Sequence, residues 1–177
     1  MLKAGLSSVV IFTKCLKNKK MAYQKLQVSR ALQVIPSDTI NIPSVAHRSA
    51  QGTTVGTAVT NKLVDTGATF LDSGLVKKND IVYNTTDSTI ARVVDIESNS
   101  TLLLSADIFI AAEGYQIYKD NNDGCILYVG GLGNVEVVTV GGDEIVLPGI
   151  SAGSFLPLQV TRVKANLTTA TNIIALW

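Results

Sequence analysis

Apolar residues along the chain fall in short β-rich runs, and helical periodicity is nearly absent. Short β-branched runs alternate with clusters of Gly, Asn, Asp and Thr, which is the pattern of strands and turns. The spacing predicts strands at Ala31–Ile35, Thr39–Ile42, Thr54–Asp65, Asp80–Asn84, Thr89–Glu97, Thr101–Ser105, Tyr115–Tyr118, Ile126–Val129, Val135–Val140, Glu144–Leu147, Phe155–Ala165 and Asn172–Trp177. One helical turn is expected at Ala68–Gly74. Strand starts roughly 8–12 residues apart point to an all-β sandwich or barrel.

Two turns are explicit. Gly141-Gly142 separates the runs "VEVVTV" and "DEIVL", and glycine supplies the positive φ of a tight hairpin. "SNST" at Ser98–Thr101 reads as a second hairpin. One strand carries a phase change. Leu156, Leu158 and Val160 share a face, but Arg162 and Lys164 then take that phase, and Val163 and Ala165 take the other. A period-2 pattern that slips by one residue implies a bulge, or a strand passing from one sheet to another at a sandwich corner.

The last strand ends in the only tryptophan, Trp177, behind Ile173, Ile174 and Leu176. A run apolar on both faces is covered on both. The ring is therefore buried either in the chain's own core or against another copy. The candidate core or interface residues are Trp177, Leu176, Ile174, Ile173, Phe155, Leu156, Leu158 and Tyr128.

Composition adds a constraint. Charged residues are 16% of the 177, against roughly 25% in typical soluble domains. A surface poor in charge is either a neutral Thr- and Ser-rich one or one covered by neighbouring copies. Residues 1–20 hold five lysines and no acid; the remainder has 10 basic and 14 acidic residues, a net of −4. The body thus lacks the broad basic field of a nucleic-acid binder. No apolar run reaches the ~18 residues of a membrane span. Residues 1–20 read as an upstream extension, with regular patterning beginning at Met21, or else as a flexible basic arm.

Candidate chemistry is sparse. The single histidine, His47, lies in a loop-like stretch, and no Gly-x-Ser-x-Gly elbow is present. Cys15 belongs to the extension, and Cys125 opens an apolar strand as a small buried hydrophobe. "DNNDG" has the composition of a calcium loop without its spacing. "YVGGLGN" is followed by a strand rather than by the helix a dinucleotide fingerprint needs. The reading is of a non-enzyme with no cofactor and no metal.

Two segments carry a resemblance: "LQVIPSDTINIP" near the start, and residues 125–177 at the end. "PSDT" (Pro36–Thr39), "LYVGG" (Leu127–Gly131), "VTVGGDEI" (Val138–Ile145), "GSFLPLQVTRV" (Gly153–Val163) and "TTATNIIALW" (Thr168–Trp177) resemble the head-spike base proteins of gene transfer agents and related structural proteins of tailed phages. The body from Met21 is similar to structural proteins of marine tailed phages, including cyanophages. Arg48–Tyr118 interrupts that pattern and resembles a separate phage module with the strand spacing of a small SH3-like barrel. The resemblance implies a Greek-key or jelly-roll-like β-sandwich from 21–47 and 119–177, with an inserted barrel at 48–118. It implies a virion protein that decorates the capsid or forms the base of a head spike or fibre, with partners among its own copies and capsid, spike or fibre subunits. The alternative is a tail or fibre adhesin whose insert binds a receptor or host-surface glycan. Neither nucleic acid nor membrane is an expected partner.

Overall fold

A computed structural model describes residues 28–122 and 124–177. The expectations about residues 1–20, Met21, Cys15 and the 21–27 part of the sandwich lie outside the described residues. In chain order the elements are β1 (Ala31–Gln33), a 3-10 turn (Val45–His47), β2 (Arg48–Thr53), β3 (Lys62–Val64), α1 (Phe70–Ser73), β4 (Ile81–Asn84), β5 (Thr89–Ile96), β6 (Thr101–Leu104), β7 (Gly114–Tyr118), β8 (Cys125–Val129), β9 (Gly133–Thr139), β10 (Glu144–Ile150), β11 (Ser154–Val163) and β12 (Ile173–Leu176). The fold is all-β. Its strands form two antiparallel sheets, ordered β1-β12-β8-β11-β9-β10 and β2-β7-β4-β5-β6-β3.

The first sheet folds over itself into a sandwich, and β11 makes the fold. Its first half pairs with β8, Ser154 opposite Val129 and Leu156 opposite Leu127. Val160 lies opposite both Cys125 and Thr139, and Val163 then lies opposite Val137 of β9. The buried positions Leu156, Val160 and Val163 change parity across this corner. The slip in the sequence pattern is thus the point where the strand leaves one layer for the other. Leu127 and Val129 of β8, Val135 and Val137 of β9, and Ile173 and Ala175 of β12 fill the space between the layers.

Residues 34–42 run beside the second half of β11 without forming the strand expected at Thr39–Ile42. Ser37 N donates to Val163 O at 2.9 Å and Ile42 N to Thr161 O at 2.9 Å. Between these bonds, the Ser37 hydroxyl accepts the Ile40 amide at 3.1 Å, a local turn that interrupts any ladder. Asp38 Oδ1 accepts the amides of Ala165 and Asn166 at 3.0 and 3.2 Å. The "PSDT" stretch therefore clamps the exit of β11.

All six strands of the second sheet fall between Arg48 and Tyr118. They curl into a half-barrel around Leu63, Val82, Ala91, Val93, Leu102 and Ile117, with Phe70 of α1 and Tyr115 closing one end. On the open side, Val55 N donates to Val64 O at 2.8 Å. The expected single strand Thr54–Asp65 is absent. The chain turns there, with Asn61 in the left-handed region at φ 55°, and only β3 remains. β2 instead comes from the polar stretch "RSAQGT", which no apolar alternation marked.

Every residue of β4 is buried. Val82 faces the half-barrel core, while Ile81 and Tyr83 face the sandwich, where they meet Tyr118 and Ile40. Leu32, Ile35, Val45 and Ile90 pack around this junction. Arg92 ties its rim, donating to Asp120 at 2.6 Å and to the Thr39 carbonyl at 3.4 Å.

Candidate functional site

The eight candidate residues divide between the two faces of one layer. Directly paired residues project to the same side of a sheet. Leu156, Leu127 and Ala175 are aligned across β11, β8 and β12 and point into the core. Ile173 is buried with them, and Leu158 packs against the same core while partly exposed. Phe155, Tyr128 and Ile174 form the next row and point outward. Phe155 is 62% exposed, so it is no part of this chain's core.

The outward row has internal order. The Tyr128 and Phe155 rings lie 5.1 Å apart at 57°, within the range of favourable aromatic pairs. Ile126 stands opposite Leu176 in the row below and completes the face. Sequence reading missed Ile126, because "CILYV" is apolar throughout and only the alternating burial in the fold makes it the outward partner of Tyr128. Along the edge of this face, Ala31, Gln33, Asn172 and Ile174 border a shallow hollow of about 270 Å³.

Trp177 is half-buried, packed on the sandwich core, with its indole nitrogen shielded and without a partner among the described residues. Its carbonyl accepts Ser29 N at 2.7 Å, which fixes the terminus to the chain entering β1.

The residues with chemical potential are engaged elsewhere. His47 is exposed at the end of the 3-10 turn. Burial pushes the Cys125 thiol up to about 12, and its Sγ donates to Val160 O at 3.4 Å. A thiol so protonated is a poor nucleophile. In the "DNNDG" stretch, Asp120 pairs with Arg92 and Asn122 Oδ1 accepts Gly124 N at 2.8 Å. Asn84, which opens an Asn-Thr-Thr triplet, is fully buried, and its side-chain nitrogen donates to Glu113 at 2.9 Å. Among the described residues, no three His, Cys, Asp or Glu side chains gather as metal ligands. No described helix is long and apolar enough to cross a membrane.

The chain matches no family model, no curated protein and no solved structure. What the geometry offers is an apolar, aromatic-bearing sheet face suited to burial against another surface.

Proposed function

We propose that this chain is a non-enzymatic structural protein of a tailed-phage virion. In this reading it decorates the capsid or forms the base of a head spike or fibre, and it assembles with copies of itself through the outer face of β12, β8 and β11. The observation that carries the reading is the ordered resemblance of five segments to head-spike base proteins. All five lie in the sandwich and its clamp, and none lies in the half-barrel. The low charge content and the exposed Phe155 beside Tyr128 support assembly on that face.

An adhesin using aromatic stacking would present tyrosines outward from the half-barrel. Tyr83, Tyr115 and Tyr118 are instead buried, which favours assembly. Sedimentation across a concentration series tests this. The wild-type chain is expected to self-associate, and Phe155→Glu is expected to remain monomeric while still folding and unfolding cooperatively. A wild-type chain that stays monomeric at every concentration would count against self-assembly.

A further inference from the structure

A polar cleft of about 510 Å³ opens where β1, the 3-10 turn and β7 meet, between the sandwich and the half-barrel. Arg30 and Arg48 both line it, with Gln116 and Tyr118 in the wall. Among the described residues, no carboxylate lines it. Neither arginine forms an ion pair among the described residues, whereas Arg92 nearby does. Residues 1–29 contain no Asp or Glu.

The donors are held in place. Arg30 Nη1 donates to the Val45 carbonyl at 3.1 Å, which anchors one edge of the guanidinium and leaves its other N–H groups for a ligand. The Tyr118 hydroxyl donates to Gln116 Oε1. That bond occupies the amide oxygen and leaves the amide nitrogen as a donor. The Arg48 charge acts on the Tyr118 hydroxyl, partly opposing the upward push of burial. The volume falls in the range of small-molecule sites, about 300–1,000 Å³. The wall is polar, unlike the apolar lining of most such sites, so the ligand must be polar as well.

We infer that this cleft binds a small hydroxylated anion, a sugar acid or sugar phosphate. Its oxyanion sits between the Arg30 and Arg48 guanidiniums, and its hydroxyls meet Gln116 and the flanking main chain. Guanidinium forks match both carboxylate and phosphate geometry. The inference is independent of the virion reading, because it rests on a different face and on charge rather than on aromatic stacking.

Calorimetric titration of the full chain with glucuronate, glucose 6-phosphate, glucose and inorganic phosphate tests it. Either acidic sugar should bind saturably and more tightly than both glucose and phosphate, and the stronger of the two identifies the preferred oxyanion. Arg30→Gln and Arg48→Gln should each weaken that binding by roughly tenfold, as expected for loss of a charge-assisted hydrogen bond. Arg48→Lys should retain part of it, and added salt should weaken it. Both arginines are exposed, so the variants should melt with the wild type. Phosphate or glucose binding as tightly as the acidic sugars would overturn the inference. So would silence from every probe, or affinity unchanged in the double variant.

Discussion

The amide of Trp177 donates to the carbonyl of Arg30 at 3.0 Å, and the amide of Arg30 donates to the carbonyl of Trp177 at 3.2 Å. Reciprocal bonds of this kind make a narrow antiparallel pair. They continue the ladder in which Ala31 faces Leu176 and Gln33 faces Ile174. The end of the chain is thereby tied to the first strand, and the two distant halves of the sandwich close into one sheet. The indole rests on the core beside this pair without being fully enclosed.

Trp177→Ala should therefore destabilise by about 2–3 kcal/mol, at or below the low end of the range for a fully buried ring. Trp177→Phe should cost less than this, because it also removes a shielded N–H that lacks an acceptor. Urea unfolding of both variants checks the order. An alanine variant as stable as wild type would mean that the terminal strand contributes nothing to the sandwich.

Gly133 begins β9 where the 164–172 loop crosses it. A Cβ there would lie 2.4 Å from Ala170 N and 2.7 Å from Thr169 C, both main-chain atoms, at φ 156°. Gly133→Ala is expected to cost at least ~2 kcal/mol through displaced backbone. Gly142→Ala, at the hairpin tip with open space around it, should be milder and reflect only the positive φ of 91°. Thermal melts of the pair separate the two causes.

Tyr83 sits in the junction with its ring 5.6 Å from that of Tyr118 at 82°. Its hydroxyl is buried and has no partner among the described residues, and burial pushes its pKa well above the ordinary tyrosine value. The main chain of Ile35 approaches the hydroxyl without a bond of good geometry. Tyr83→Phe should leave stability unchanged or raise it by up to ~1 kcal/mol, since it removes an unsatisfied buried group. A loss beyond ~1 kcal/mol would show that the Ile35 contact is a working hydrogen bond.

Glu113 should govern part of the acid limb of stability. Its Oε2 accepts Ile110 N at 2.8 Å and Asn84 Nδ2 at 2.9 Å, and the amide bond above all holds its carboxyl below the usual glutamate value. A carboxyl depressed in the folded state stabilises above its unfolded pKa of about 4.3 and loses that contribution as pH falls through the folded value. Asp87 shares the site and is shifted the other way, chiefly because its protonated carboxyl is the form that can hydrogen-bond to Glu113. Asp87→Asn should therefore raise the melting temperature at pH 7 by replacing a like charge with a donor. Glu113→Gln should flatten the decline of stability below about pH 4. Melting curves from pH 3 to 7 check both signs.

The parts of the fold legible in the sequence were those where one face is apolar and the other polar. The slip after Val160 announced the corner in β11, whereas the unbroken apolar run at Ile173–Leu176 announced a strand covered on both sides and the fold buries only its Ile173 and Ala175 face, leaving Ile174 and Leu176 half-exposed. β2 was not legible, because it lies at a sheet edge and is held mainly by main-chain bonds to β7, such as Gln51 facing Gln116. Composition carries little information about such a strand. The turn within residues 36–42 was hidden for another reason: its bonds run to β11, some 120 positions away. The outward face was not legible, since "CILYV" is apolar at every position and only the fold separates the buried Cys125, Leu127 and Val129 from the half-exposed Ile126 and Tyr128. The arginine cleft had no sequence signal, because Arg30, Arg48 and Gln116 share no motif and meet only through the packing of two sheets.

The most direct measurement is a cryo-electron reconstruction of the virion into which this chain is proposed to assemble. The expected result is repeated density for the sandwich at the capsid surface or the base of a head spike or fibre, with Phe155, Tyr128 and Ile174 buried between neighbouring copies. Particles that lack the chain, or that carry it with this face open to solvent, would contradict the account.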